Sequence, residues 1–249
     1  MDLCGKVAVI TGGKRIGRAV ARELAERGMN LVLSYRGSKE EAEQTVADVE
    51  AAGRRATTVS ADVSKPADCL AILEHAVATF GRGDVLVNMA SIYRSKPLQD
   101  VSVDYWTTDL DINLRSAFLC SHAAIPHMRA AGAGRIVNFA DWLVRSGRPR
   151  YTGFTAYYVA KAGVVALTES LALEVARDNI LVNAIAPGPI VPPPDLSQQE
   201  IDEVARATPV GHWGGEAEIA KAVTVHAVLV LWVLGQPALR RRRGNRCCS

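Results

Sequence analysis

The chain has 249 residues, of which 49% are hydrophobic and 22% are charged, and its formal net charge is +3. Five arginines between residues 240 and 246 more than account for that charge, so the rest of the chain has no basic excess for a nucleic-acid groove. The five cysteines include no CxxC pair, which argues against a disulfide framework, and no apolar run is long enough to span a bilayer. We therefore expect a soluble, cytoplasmic protein that contacts neither membranes nor nucleic acids.

Short β-branched segments alternate with longer amphipathic segments along the chain. In chain order, we predict strands at residues 6–10, 30–34, 56–60, 85–88, 135–139 and 181–184. Between them, apolar residues recur every three or four positions at residues 17–28, 39–53, 66–81, 104–131 and 156–178, which predicts helices. This alternation is typical of βαβ units, so we predict a mostly parallel sheet within one domain.

The segment TGGKRIG, residues 11–17, lies between the first predicted strand and the first predicted helix. In that position a glycine turn is a candidate phosphate-binding site, because small residues let the backbone approach a pyrophosphate and the N–H groups at the helix start face the anion. Lys14 and Arg15 add positive charge at the same place. An ordinary loop explains this turn equally well when it is considered alone.

The second predicted strand ends without an acidic residue. NAD-binding folds usually carry Asp or Glu there to bind the ribose 2′-hydroxyl, whereas this chain has Arg36 nearby. A cation at this position suits the 2′-phosphate of NADP, and Arg15 and Arg36 together would make one anion site. The alternative is a solvated surface arginine.

Tyr157 and Lys161 lie four residues apart in a predicted helix, so they share one face. A free tyrosine has a pKa near ~10, and a neighbouring ammonium group lowers that pKa by stabilising the phenolate. The pair is therefore a candidate for acid–base chemistry, with a buried tyrosine and a surface-reaching lysine as the alternative.

The glycine turn and the Tyr157–Lys161 pair occur in a characteristic order with five further segments: DV at 62–63, NMAS at 88–91, DINL at 111–114, IVNFAD at 136–141 and NAIAPGPI at 183–190. In this order the chain resembles the short-chain dehydrogenase/reductase family from about residue 6 to residue 223. The resemblance implies a Rossmann-type doubly wound parallel α/β sheet with helices on both faces. It also implies an oxidoreductase that uses NADPH/NADP+ to transfer hydride to a C=O or C=N group of a small substrate.

The resemblance assigns a role to each matching position. It makes Tyr157 the general acid, Lys161 its partner, and Asn113 the residue that supports a proton-relay water through its backbone. With Arg36, the residues expected to contact the cofactor are Thr11, Gly12, Arg15, Ile16, Gly17, Asp62, Val63, Asn88, Ala90, Lys161, Pro187, Gly188 and Ile190.

The glycine turn departs from the family pattern in two ways. Arg15 occupies the place of the middle glycine, and the turn is one residue short. Members of pteridine-reductase type also carry Lys-Arg before the aliphatic residue and the last glycine, but the shortening fits neither pattern. A missing residue would move the helix start relative to the strand and weaken cofactor binding.

The expected substrate site also departs from the family pattern. Asp141 falls where the family usually has a serine, and pteridine reductases also have an aspartate there; the alternative is that Ser146 serves instead. Ser91 and Tyr93 follow the fourth strand, where an aromatic ring would stack on a pterin. A pteridine-like substrate is therefore one prediction. A 3-oxoacyl thioester is the other, since Arg145, Arg148 and Arg150 would suit an acidic acyl carrier protein unless they form only a solvated loop.

The C-terminal segment does not match the family. We predict a catalytic domain at residues 1–223 and an atypical tail at 224–249, which lacks the usual Asp-Gly-Gly ending and which we attribute to a reading-frame shift near residue 224. A homo-oligomer, either a dimer or a tetramer, is expected, and it would be weakened by such a tail. No metal-binding motif occurs, so we predict no catalytic metal. The alternative to an enzyme is a catalytically impaired nucleotide-binding protein.

Overall fold

The computed structural model describes residues 1–12, 14–144, 152–193 and 196–228. Six strands form one parallel sheet: β1 Val7–Thr11, β2 Asn30–Tyr35, β3 Ala56–Ser60, β4 Val85–Asn88, β5 Gly134–Phe139 and β6 Ile180–Ile185. Their order across the sheet is β3-β2-β1-β4-β5-β6, so the chain changes direction between β1 and β4. The predicted Rossmann-type doubly wound sheet is confirmed, and each predicted strand is present with its ends shifted by at most one residue.

Eight α-helices cover the sheet in the described part of the chain. They are α1 Ile16–Glu26, α2 Lys39–Ala51, α3 Pro66–Phe80, α4 Val103–Leu110, α5 Ser116–Ala130, α6 Thr155–Val175, α7 Gln198–Ala207 and α8 Glu216–Val228. The single helix predicted at 104–131 is interrupted by a π-helical turn at Asp111–Arg115, which separates α4 from α5. Helical periodicity alone does not reveal a π turn, because it adds one residue without changing the residue types.

Alternation of side chains along β1 explains why both faces of the sheet are covered. Val7 and Val9 face one layer, where they join α3, α5 and α6, while Ala8 and Ile10 face the other layer, where they join α1 and α8. All five residues of β1 are buried. A strand that is apolar on both faces belongs at the centre of a parallel sheet, which is where β1 lies.

The predicted boundary at residue 224 falls inside α8. Thr224 and Ala227 are buried, and Ala227 belongs with Val223 to the core cluster that contains α1. Residues 224–228 therefore continue the helix that covers α1. The remainder of the predicted tail, with Arg240–Arg243, lies outside the described residues.

Candidate active site

The carboxyl ends of the central strands meet at one edge of the sheet. Thr11 of β1 pairs in register with Asn88 of β4, and Asn88 pairs with Asn138 of β5. This edge also contains the point between β1 and β4 where the strand order reverses, which is where ligands bind in open α/β sheets. The predicted cofactor and catalytic residues follow these strand ends or begin the helices beside them.

The turns after β1 and β4 touch each other through a glycine. Gly12 has a φ of +71°, and a Cβ atom added there would lie 2.7 Å from the Cα atom of Ala90. The Thr11 hydroxyl accepts hydrogen bonds from the backbone N–H groups of Met89 and Ala90 at 3.1 and 3.3 Å. The predicted residues Thr11, Gly12 and Ala90 are therefore brought together, with backbone rather than side chains at the surface of the turn.

Helix α1 begins at this turn without a side-chain cap. Ile16 is its first residue, and a Cβ atom added to Gly17 would lie 3.3 Å from the carbonyl oxygen of Gly12. A helix start without a side-chain cap, above a glycine-lined backbone, is a place where a pyrophosphate can bind, although the N–H groups of Gly17 and Arg18 donate here to the carbonyl oxygens of Lys14 and Arg15 at 3.2 and 3.0 Å. The residues present thus fit the phosphate end of a nicotinamide dinucleotide.

Arg15 takes a backbone conformation that favours glycine. Its φ of 56° and ψ of −107° lie where side chains other than glycine are strained, at the place of the family's middle glycine. Its guanidinium donates to the carbonyl oxygens of Val191 and Pro192, at 3.3 and 2.9 Å, in the loop after β6. In the sheet order, β2 and its Arg36 lie on the opposite side of β1 from β6. The joint anion site expected for Arg15 and Arg36 stays a prediction.

The end of β3 holds the residues expected to contact adenine. The Asp62 carboxylate accepts hydrogen bonds from the Ser64 hydroxyl and backbone N–H at 2.7 and 3.1 Å. These bonds hold the pKa of Asp62 below its ordinary value, and the positive charge of Arg36 adds to the effect. Val63 is buried beside it, with its carbonyl oxygen 3.2 Å from the Cys69 thiol. Arg36 thus acts electrostatically on the same corner of the site.

The side-chain amide of Asn88 is bonded to other protein groups. Its side-chain amide donates to Asn138 Oδ1 at 2.8 Å, and the Asn138 amide donates to the Thr168 hydroxyl of α6 at 2.9 Å. Its own Oδ1 atom is buried and has no hydrogen-bond partner among the described residues. The donors of Asn88 therefore tie β4 to β5 and, through Asn138, to the helix that carries Tyr157.

Tyr157, Lys161 and Asp141 converge at the end of β5. The Tyr157 hydroxyl donates to Asp141 Oδ2 at 2.7 Å, and Lys161 Nζ donates to the carbonyl oxygen of Phe139 at 2.7 Å. Lys161 Nζ also lies 5.7 Å from the centre of the Tyr157 ring. The three residues that the sequence singled out for chemistry therefore form one contiguous cluster.

The pKa values in this cluster differ from the sequence-based expectation. Burial raises the pKa of Tyr157 well above its ordinary value, and the charge and hydrogen bond of Asp141 raise it further. Burial also lowers the pKa of Lys161 to about 8, with Asp141 opposing that change. The net pKa of Tyr157 is therefore raised rather than lowered, because desolvation and the adjacent carboxylate outweigh any stabilisation of the phenolate by Lys161.

Asn113 lies in the π-helical turn and holds the segment after β4. Its Oδ1 atom accepts from the Ser91 hydroxyl at 2.7 Å and from the backbone N–H of Ile92 at 2.9 Å, and its amide donates to the Ile92 carbonyl at 3.1 Å. The side chain is fully engaged by protein contacts. Any relay of protons through Asn113 would thus involve its backbone, as the family resemblance implies.

An aromatic group lies next to the Tyr157 hydroxyl. The Tyr93 ring stacks on Phe154 with centroids 4.5 Å apart and an interplanar angle of 21°, and it meets Tyr157 edge to face at 4.9 Å and 84°. Tyr93 is 51% exposed, so part of this group faces solvent. Sequence reasoning missed Phe154, although its position three residues before Tyr157 is a helical spacing that indicates proximity.

The loop after β6 closes the site on the side away from β2. The carbonyl of Pro187 accepts from the backbone N–H of Trp142 at 3.2 Å, and Gly188 lies beside the Trp142 ring. The carbonyls of Pro189 and Ile190 accept from Gly214 and Gly215 at 2.9 and 3.0 Å. The loop predicted to line the nicotinamide is thus anchored next to Asp141. The acyl-carrier alternative depended on Arg145, Arg148 and Arg150, and the serine alternative depended on Ser146. All four residues lie outside the described residues.

No group of three or more His, Cys, Asp or Glu side chains is arranged to hold a metal ion in the part of the chain that the structure describes. No helix within the same residues combines the length and apolarity needed to cross a bilayer.

A family model described as short chain dehydrogenase matches residues 6–202. The chain belongs to the short-chain dehydrogenase family. This dehydrogenase is therefore an oxidoreductase of a family that uses nicotinamide cofactors, and the family predicted from the sequence motifs is confirmed.

Its relatives differ in the activities that their names state. The 3-oxoacyl-[acyl-carrier-protein] reductase FabG of Staphylococcus aureus is 37% identical over 221 residues, covering 88% of this chain and 89% of the relative. The 3beta-hydroxysteroid dehydrogenase 1 of Eggerthella lenta is 38% identical over 227 residues, covering 89% and 86%. A crystal structure of a short chain dehydrogenase from Burkholderia cenocepacia in complex with NADP has a TM-score of 0.84 and 31% identity, covering 91% and 92%.

The backbone strain at Arg15 gives a prediction about stability. Arg15→Gly and Arg15→Ala both remove the contacts with the loop after β6, but only glycine relieves the positive φ. We expect the glycine variant to exceed the alanine variant in free energy of unfolding by about 1 kcal/mol, which urea denaturation would measure. An alanine variant of equal or greater stability would contradict the assigned strain.

Proposed function

We propose that the protein is an NADPH-dependent reductase that transfers hydride to a C=O or C=N carbon of a small, planar, pteridine-like substrate. The observation that carries this proposal is the hydrogen bond of 2.7 Å between the buried Tyr157 hydroxyl and Asp141, with the Lys161 ammonium beneath the same ring. When bound, the nicotinamide supplies the hydride. The protein's own residues supply the proton, the orientation and the charge.

Tyr157 is suited to hold a proton until the substrate arrives. Because burial and Asp141 raise its pKa, the phenol is neutral at physiological pH. Lys161, whose pKa is about 8, is mostly protonated at pH 7, so its charge stabilises the phenolate that forms when the proton leaves. Asn113 keeps the adjoining π-helical turn in place, and a backbone carbonyl there is the expected support for a relay water.

Asp141 favours a ring with N–H groups over a simple carbonyl. An ionised carboxylate only accepts hydrogen bonds, so it attracts ring N–H donors and repels a lone carbonyl oxygen. Tyr93 and Phe154 provide an aromatic surface beside it for a flat ring. With Ser91 anchored to Asn113 at the rim, these side chains form the proposed substrate site.

A 3-oxoacyl thioester is the second candidate substrate. The extent and identity of the match to the Staphylococcus aureus reductase favour it. The serine that would donate to its carbonyl is replaced by Asp141, and this is why we rank it below a pteridine-like ring. A catalytically impaired nucleotide-binding protein is the alternative in another class, and the strained, shortened turn at Arg15 is the observation that favours it.

Preference for NADPH follows from charge at the ends of β2 and β3. The sequence after β2 offers Arg36 and no acidic residue, and Arg36 lies close enough to Asp62 to lower its pKa. The NADP complex of the Burkholderia relative is consistent with this preference. Asp62 and Val63 would contact the adenine, and Pro187, Gly188 and Ile190 the nicotinamide.

We also propose a cytoplasmic homo-oligomer with a small-molecule substrate and no nucleic-acid or membrane partner. Large apolar side chains are exposed on α5 and α6, namely Phe118, Val159 and Leu173. Exposed apolar residues on neighbouring helices are consistent with a protein contact. Analytical ultracentrifugation would distinguish a dimer or a tetramer from a monomer.

The reaction itself is tested with Tyr157→Phe. The variant removes only the hydroxyl, so we expect at least a ~1,000-fold loss of kcat in NADPH oxidation, with NADPH affinity nearly unchanged. The assay panel contains dihydropterins, acetoacetyl thioesters and quinones. Substantial remaining turnover would contradict the assigned acid, whereas NADPH binding by the wild-type protein without turnover of any substrate would favour the nucleotide-binding alternative.

Asp141→Asn tests the role of the carboxylate. Its charge raises the pKa values of both Tyr157 and Lys161, so removing it lowers them, and the alkaline limb of the kcat/KM profile, where Lys161 loses its proton first, moves to lower pH. Loss of a charge-assisted hydrogen bond also lowers kcat/KM for ring substrates by roughly 10- to 100-fold. An alkaline limb that is unmoved, or moved to higher pH, would contradict this role.

Arg36→Ala tests the choice of cofactor. We expect NADPH to bind about tenfold more weakly while NADH affinity changes less than about twofold, because only NADPH carries the 2′-phosphate. Cofactor fluorescence titration would measure both affinities. Arg129→Ala, at the opposite edge of the sheet, is the control for removing one positive charge. Equal losses for the two cofactors would rule out recognition of the 2′-phosphate by Arg36.

A further inference from the structure

The segment between β4 and the short turn Leu98–Asp100 is held at three points. We call residues 91–96 the substrate loop. Asn113 binds Ser91 and Ile92 at its start, and the backbone N–H of Lys96 donates to the Gly153 carbonyl at 2.8 Å at its end. In the middle, the Arg94 guanidinium donates to Asp109 Oδ2 at 2.6 Å. Tyr93 lies within this loop, between the attachment at Ile92 and the attachment at Arg94.

Asp109 is an unusual residue for its position. It is on the α4 face that packs inward, and its side chain has no solvent exposure, whereas that of Arg94 is 43% exposed. Its second carboxylate oxygen lies 3.4 Å from the Asn113 amide. A buried carboxylate without a cation is strongly unfavourable, so Asp109 holds Arg94 more firmly than a surface acid would.

Arg94 is fixed through its backbone as well as its side chain. The Tyr105 hydroxyl donates to the Arg94 carbonyl at 3.0 Å, and the guanidinium lies 4.4 Å from the centre of the Tyr105 ring. Both Tyr105 and Asp109 belong to α4. One helix therefore fixes the residue immediately after Tyr93 at two places.

Fixing Arg94 also restricts the ring that precedes it. Tyr93 stacks on Phe154 and meets Tyr157 edge to face, and it is half exposed, so part of the ring faces solvent. A solvent-exposed loop opens at lower free energy than the core does, so contacts with buried groups decide how firmly it is held. The ion pair on α4 is such a retaining contact.

We propose that Asp109 and Arg94 are positioning residues that hold the Tyr93 ring against Tyr157 and thereby select flat ring substrates. Neither residue touches the reacting atoms; they act through the substrate loop. This inference rests on the proposed reductase function. An acyclic substrate needs the proton of Tyr157 but no stacking surface, so its turnover is independent of the ion pair.

The test compares variants that differ in the charge they leave buried. Arg94→Met leaves Asp109 uncompensated, whereas the double variant Arg94→Met/Asp109→Leu removes both charges and keeps apolar volume, so it is the variant expected to retain stability. Arg94→Lys keeps the positive charge. Arg129→Met removes an arginine with a similar bond, 2.6 Å to Asp178, at the opposite edge of the sheet, and is the matched control.

Hydrogen exchange measures positioning without any substrate. We expect amide exchange in residues 92–94 to rise about tenfold in the double variant, with exchange in β4 and β5 unchanged, and to stay at the wild-type rate in Arg129→Met. Unchanged exchange in the substrate loop of the double variant would overturn the inference. This readout stands even if the wild-type protein reduces none of the substrates, a result that would refute the proposed function alone.

Kinetics then measure selection of the substrate. In the double variant we expect kcat/KM for a dihydropterin to fall about tenfold, mainly through KM, and that for an acetoacetyl thioester or another acyclic ketone to change less than about twofold. Arg94→Lys keeps a positive charge beside Asp109, so it should retain most of the wild-type kcat/KM for the dihydropterin. Equal losses for both substrates, or a loss that follows thermal stability across the variants, would indicate a merely structural role and overturn the inference.

Discussion

The chemistry of this site depends on a phenol buried against a carboxylate. Tyr157 would be an ordinary weak acid if it faced water, and Lys161 would then dominate its pKa. Here the bond to Asp141 and the burial of the ring reverse that balance. The phenol therefore keeps its proton, the lysine has a lowered pKa, and the Asp141 carboxylate accepts the hydrogen bond of the phenol. Every role proposed for the neighbouring residues follows from that distribution of charge.

The sheet was predictable because its signals are local. β1 is a short apolar run between Gly5 and Gly12, β4 is one that follows Gly83, and all the residues of both strands are buried, so their positions were predicted to within one residue. The π-helical turn at Asp111–Arg115 was not predictable in this way, because its residues carry the same periodicity as the helices on either side. The boundary placed at residue 224 falls within α8, because it was drawn from departure from the family pattern, which does not determine where a helix ends.

The site residues were predictable only where sequence spacing or motif order identifies them. Tyr157, Lys161 and Asp141 were found from spacing and order, and they do meet. The direction of the Arg15 side chain was not predictable, since it depends on a contact with Pro192, 177 residues further along the chain. Phe154 and Asp109 gave weak signals, because an aromatic residue before a helix and an acid within one are common in sequences and gain meaning only through their neighbours.

The buried amide chain from Asn88 through Asn138 to Thr168 has a consequence for how such a site diversifies. It fastens the ends of two adjacent strands to α6, so the helix that carries the proton donor has little freedom to shift along the sheet. Differences in substrate shape must then be absorbed by the segments around residues 91–96 and 187–193, whose replacement leaves that frame intact. Evolution of new specificities in this scaffold is thereby channelled into its rim, while the reacting groups stay where they are.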